Sequence, residues 1–117
     1  MLNKSILMGR ITHTPEIRET QNNKKVMNFS IAVNRGNKDE GTDFFNCVAW
    51  EKRAEFIEKY FKKGDAIIVS GKLQTRKYEN KEGAAKIITE LIVQEVNFCA
   101  YAKKEEQQEI TDNDLPY

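Results

Sequence analysis

Thr42-Asp43-Phe44-Phe45-Asn46-Cys47-Val48-Ala49-Trp50-Glu51-Lys52 is the stretch on which the reading of this chain turns. It is rich in aromatic and β-branched residues and follows the turn-prone Asn37-Lys38-Asp39-Glu40-Gly41, so it predicts a β-strand. Strand side chains alternate between faces, which puts Phe44, Asn46, Val48 and Trp50 on one side and Phe45, Cys47 and Ala49 on the other. The small residues suit a packed interior. The opposite face sets a phenylalanine and a tryptophan six residues apart, about 20 Å along a strand, with a polar asparagine between them. Two readings fit this stretch equally well: a strand buried on both faces, or a wet platform on which flat ligands stack. Its neighbours must decide.

Upstream, Asn3 to Thr12 is strand-like, with Gly9 as a residue that tolerates a bulge or a close backbone approach. Thr14-Pro15 breaks the run, and Glu16 to Thr20 is a short extension before a hairpin turn at Gln21-Asn22-Asn23-Lys24. From Lys25 to Arg35 the alternation is clean: Met27, Phe29, Ile31 and Val33 face one way and Asn28, Ser30, Ala32 and Asn34 the other. That is a half-buried antiparallel strand. Downstream, Arg53 to Lys62 predicts the one helix, with Ala54, Ile57 and Phe61 on its apolar stripe and Gly64 as its left-handed stop. Asp65 to Tyr78 returns to strand, and its face of Lys72, Gln74, Arg76 and Tyr78 is basic and hydrogen-bonding, ending in a ring. After a turn at Glu79-Asn80-Lys81-Glu82-Gly83, Ala85 to Tyr101 is a long apolar strand. About five strands with one helix between the third and fourth is the order of an OB-fold, a small all-β Greek-key barrel.

The 117 residues suffice for one core. The reading divides them into a barrel domain, 1–102, and a short flexible linker with an acidic tip, 103–117. Residues 103–117 hold two lysines against three glutamates and two aspartates, a net of −3, so the body carries the balance of +4 against a total of +1. A basic body joined to an acidic tail is an informative asymmetry. The tail is polar to Thr111 and is expected to be disordered. Cys47 and Cys99 lie far apart with no metal-like spacing and read as buried thiols of a cytoplasmic chain. No apolar run is long enough for a membrane span.

Catalytic chemistry finds no support. His13 is the only histidine, sits beside Thr14-Pro15 in a turn, and has no partner at a telling spacing. Gly64 to Lys72 is superficially like a phosphate loop, but its spacing is wrong and its apolar middle reads as strand. No cofactor or metal is called for, and the chain is expected not to be an enzyme. Nucleic-acid binding fits better, because single strands are held by rings that stack on bases and by a positive groove that tracks phosphates. Candidate rings are Phe44, Trp50 and Tyr78. Candidate phosphate contacts are Arg10, Arg35, Lys38, Lys52, Arg53, Lys72, Arg76, Lys77 and Lys86. Lys62-Lys63 reads instead as a solvated helix end.

Several segments together resemble the bacterial single-stranded-DNA-binding proteins. They are Asn3-Lys4 with Ile6-Leu7-Met8-Gly9-Arg10, Thr14-Pro15-Glu16-Ile17-Arg18, Phe29 to Arg35, Asp43 to Trp50, Lys62-Lys63-Gly64, Gly71 to Asn80, and the closing Asp112-Asn113-Asp114-Leu115-Pro116-Tyr117. The resemblance covers essentially the whole chain in order. It implies an OB-fold assembling as a homotetramer with DNA wrapped round it, stacking rings at Phe44, Trp50 and Tyr78, and a tip, Asp112 to Tyr117, that docks on replication, recombination and repair proteins. Two other functions were open to this sequence: an OB-fold RNA-binding module, and an adaptor that works mainly through its tail.

Three departures qualify the resemblance. The family has a further ring in the loop after Asn34-Arg35, where this chain has Gly36-Asn37-Lys38; fewer or weaker base contacts are expected, with Arg35 and Lys38 compensating by charge. The nine-residue linker from Lys103 to Thr111 reaches about 30 Å at most. Tyr117 replaces the more common phenylalanine and Asn113 an acid, so a buried hydroxyl without a partner would weaken docking. A compact member with an altered tip suggests a phage or mobile-element origin.

Overall fold

A computed structural model describes residues 1–37 and 40–99; Lys38, the 102/103 boundary and the tip Asp112–Tyr117 lie outside the described residues. The elements are β1 (Ser5–Ile11), β2 (Ile17–Glu19), β3 (Lys25–Asn34), β4 (Thr42–Trp50), α1 (Lys52–Tyr60), β5 (Ala66–Glu79) and β6 (Ala85–Phe98). Hydrogen bonding orders the strands β1-β5-β6-β4-β3-β2, and β1 also pairs with β3 through Arg10–Ala32 and Ile11–Ile31. Five strands therefore close a ring, and β2 is a short flap on β3. The pairings are antiparallel except β4 with β6. With α1 between the third and fourth ring strands, this is an OB-fold.

The alternation of β3 and β4 sets the inside. Met27, Phe29 and Ile31 from β3 and Cys47 and Ala49 from β4 are buried, joined by Ile67 and Val69 of β5 and Leu91 and Val93 of β6. One end of the ring is closed by Ala54 and Ile57 of α1 and by Phe61 just beyond it. Each large side chain fully buried here contributes about 1.5–3 kcal/mol. Phe61 also explains where the helix stops. Its backbone is extended (φ −127°, ψ 148°), which turns the ring inward to stack on Phe98 at 5.0 Å. The helix thus ends before Gly64, contrary to the expected stop. Gly64 instead occupies a turn in which the Asp65 amide donates to the Lys62 carbonyl (3.0 Å), while its own amide donates to the carbonyl of Ile11 (2.8 Å).

β5 and β6 stay paired from Leu73–Leu91 to Glu79–Ala85, running past the last β4 partner at Glu90 as a two-stranded arm, and Asn80 bonds across the turn to Ala84. The arm leaves the barrel at a β-bulge: Ser70 pairs with Glu95 but Gly71 with Val93, so Gln94 is the extra residue. A Cβ at Gly71 would collide with the carbonyl oxygen of Ile92. The bulge shifts the alternation of β6 by one, which lets Leu91 and Val93 before it and Val96 after it all face the core.

Candidate nucleic-acid interface

Register carries the outward face of β4 across three neighbours. Val26 of β3 stands opposite Trp50, Asn28 opposite Val48 and Ala32 opposite Phe44. On the other side Asn46 pairs with Glu90 and Val48 with Ile92 of β6, which in turn face Gln74 and Lys72 of β5. Further along the arm Arg76 faces Ile88, and Tyr78 faces Lys86. All three candidate rings lie on this one surface. Phe44 is 67% exposed, Trp50 39% and Tyr78 44%, so each ring is open to solvent in part. The strand is thus neither buried on both faces nor wholly wet: Val48, between the rings, is buried.

A groove of about 240 Å³ runs beside Trp50, lined by Arg18, Val26, Asn28, Val48, Gln74, Arg76, Glu90 and Ile92. Its apolar lining is Val26, Val48 and Ile92, and its walls offer amides and charges. This suits a base, which needs an apolar face and polar edges. Phe44 and Tyr78 stand outside the groove, further along the same surface.

The candidate cations divide. Lys72, Arg76 and Lys86 share the face of the rings by register. Lys77 points to the other side of the arm, opposite Ile87. Lys52 and Arg53 line a separate hollow with Phe56, Gln94, Glu95 and Val96, and Arg53 Nε donates to the Gln94 carbonyl (2.6 Å). Arg10 lines another hollow, with Met8, Ala32 and Cys99, and its Nη1 donates to the Gly64 carbonyl (2.9 Å). Arg35 grips Asp43 with Nε and Nη2 (2.9 and 2.8 Å). That hydrogen bonding holds the Asp43 carboxyl below its usual value, and it pairs the charge of Arg35 at the surface. Arg76 is likewise forked onto Glu90 (3.0 and 3.2 Å).

The sequence reading missed Arg18. The signal was present: from the hairpin turn at 21–24, counting outward pairs Arg18 with Val26, the residue opposite Trp50. Phe45 turns away from Phe44 and is partly exposed, outside the buried core. Cys47 is buried, and burial pushes its thiol up to about 12, which makes it a poor nucleophile. His13 is exposed and, among the described residues, meets the hydroxyl of Thr12 (3.0 Å). Among the described residues no group of three or more His, Cys, Asp or Glu side chains could hold a metal ion, and no helix is long and apolar enough to cross a membrane.

A profile described as the single-strand binding protein family matches residues 2–99. The chain is 45% identical over 102 residues to a single-stranded DNA-binding protein of Halalkalibacterium halodurans, covering 84% of this chain and 61% of that relative. It is 40% identical over 113 residues to single-stranded DNA-binding protein 1 of Staphylococcus aureus, covering 93% and 72%. To single-stranded DNA-binding protein 1 of Lactococcus lactis it is 39% identical over 112 residues, covering 92% and 75%. The matched stretch thus spans between 61% and 75% of the length of these relatives.

Proposed function

Because this chain belongs to the single-strand binding protein family, we propose that it binds single-stranded DNA along the outer face of β4, β6 and β5, tolerating any sequence and shielding the strand from re-annealing and nucleases. The observation that carries this reading is the placement of Phe44, Trp50 and Tyr78, each partly exposed, on one continuous surface. A stacked base contributes about 1–3 kcal/mol, and every base has a face to stack. Lys72 and Lys86, on the same face by register, are phosphate contacts in this reading. Arg10, Lys52, Arg53 and Lys77 look onto other surfaces and meet DNA only if the strand wraps round the molecule.

The functional unit is a homotetramer in this reading. Ile6 on β1 and Leu73 and Ile87 on the arm are apolar side chains left exposed in the single chain, as an assembly surface requires. The role is binding rather than catalysis. The tip, Asp112-Asn113-Asp114-Leu115-Pro116-Tyr117, recruits replication, recombination and repair proteins: its terminal ring and carboxylate enter a basic, apolar-floored pocket on the partner, steered by the aspartates.

Trp50 is the only tryptophan, so its fluorescence reports one site. Titration with a thymidine oligomer is expected to quench it strongly at low salt, with recovery at high salt. Saturable binding without a change at Trp50 would place the DNA on another face. Absence of binding would remove the function itself.

A further inference from the structure

Glu90 is out of place on a surface meant for a polyanion. Its side chain is only 8% exposed, yet it lies on the face of the three rings, opposite both Asn46 and Gln74. A carboxylate there repels phosphate, and the low dielectric around a buried charge strengthens that repulsion. Its two oxygens accept from Nε and Nη2 of Arg76 at 3.0 and 3.2 Å, while the guanidinium remains half exposed. Fork pairing of this kind fixes the guanidinium in one plane and matches its charge within hydrogen-bond distance. To an approaching phosphate the pair is close to neutral. To a base it is a flat, rigid plate whose Nη1 donors have no partner among the described residues, and flat guanidinium planes stack on bases.

The same groove contains a second arginine in the opposite condition. Arg18 is exposed and its side chain, among the described residues, makes no hydrogen bond or ion pair. It is a free cation at the rim, beside Val26 and Trp50.

Resting on the proposed DNA-binding role, we propose that the two arginines of this groove divide the nucleotide between them. Arg76, held flat and neutralised by Glu90, contacts the base that lies beside Trp50, and Arg18 contacts its phosphate. Glu90 is then a positioning residue that keeps Arg76 from serving as a phosphate ligand.

Salt dependence separates the two roles, since each phosphate contact to a single strand adds about 0.7 to the slope of log Kobs against log salt. The full chain and its variants are titrated with a thymidine oligomer at several salt concentrations. Arg18→Gln is expected to flatten the slope by about 0.7. Arg76→Lys, which keeps the charge but loses the plane, is expected to weaken binding about tenfold at every salt concentration with the slope unchanged. Glu90→Gln keeps the shape and an acceptor oxygen while releasing the charge of Arg76, so its slope is expected to steepen by about 0.7. The proposal is overturned if Arg76→Lys binds like the wild type, if Arg18→Gln leaves the slope alone, or if Glu90→Gln does. These outcomes are read only against wild-type binding. A wild type that does not bind the oligomer sinks the function instead.

Discussion

At the scale of single residues, the corner between β4 and α1 shows how the site is held. Glu51 follows Trp50 and has a φ of +53°, in the left-handed region that a side chain enters at a cost of about 1–3 kcal/mol. Its amide donates to the Lys25 carbonyl (2.8 Å), and its Oε1 accepts from the Lys25 amide (3.1 Å). The two bonds pin the end of β4 to the start of β3 and so fix where Trp50 stands. Glu51→Ala keeps the strain and loses the side-chain acceptor, and is expected to cost about 1 kcal/mol. Glu51→Gly loses the same bond but relieves the strain, and is expected to leave stability near that of the wild type. Urea denaturation followed by far-ultraviolet circular dichroism checks this order, in which glycine is better than alanine. Sequence could not announce the corner, because glutamate gives no sign of a positive φ. It did place the rings: period-two alternation from Phe44 to Trp50 needs no knowledge of partners. The ion pairs of Arg35 and Arg76 were invisible for the opposite reason, since Arg76 reaches Glu90 only through the pairing of β5 with β6.

At the scale of elements, the decisive irregularity is the bulge where the arm leaves the barrel. The helix and the ring strands were legible because each has a periodic apolar face. The bulge was not, although the sequence contains its trace: Leu91 and Val93 share one parity and Val96 the other, yet all three face the core. Only an extra residue at Gln94 reconciles them. Gly71 is its counterpart, pressed so close to the Ile92 carbonyl that a side chain has no room. The obstruction is backbone and cannot rotate away. Gly71→Ala is therefore expected to destabilise the fold by about 2–4 kcal/mol, measured from the urea midpoint. Because the arm carries Gln74, Arg76 and Tyr78, the variant is also expected to lose affinity for a thymidine oligomer under conditions where it remains folded. Gly9 is subject to the same constraint on β1, where a Cβ would lie 2.6 Å from the Ala32 carbonyl oxygen.

At the scale of the whole molecule, charge is distributed so that the body and the C-terminal segment carry opposite signs. Residues 103–117 carry −3 and the body +4, while DNA approaches as a polyanion. Several body cations are already matched or turned away: Arg35 by Asp43, Arg76 by Glu90, and Lys77 onto the far side of the arm. An acidic segment of the same chain is therefore expected to compete with DNA for the cations that remain. If residues 103–111 act as a linker, as the sequence suggests, they let the tip reach about 30 Å at most. Deleting Asp112–Tyr117 is therefore expected to leave DNA binding intact or to strengthen it at low salt, with the advantage shrinking as salt screens both interactions. The same truncation is expected to abolish capture of replication and repair proteins, measured by pull-down with the full chain as reference. Loss of DNA binding on truncation would make the tip part of the DNA site. Undiminished capture of every partner would move protein docking away from the tip and onto the barrel itself.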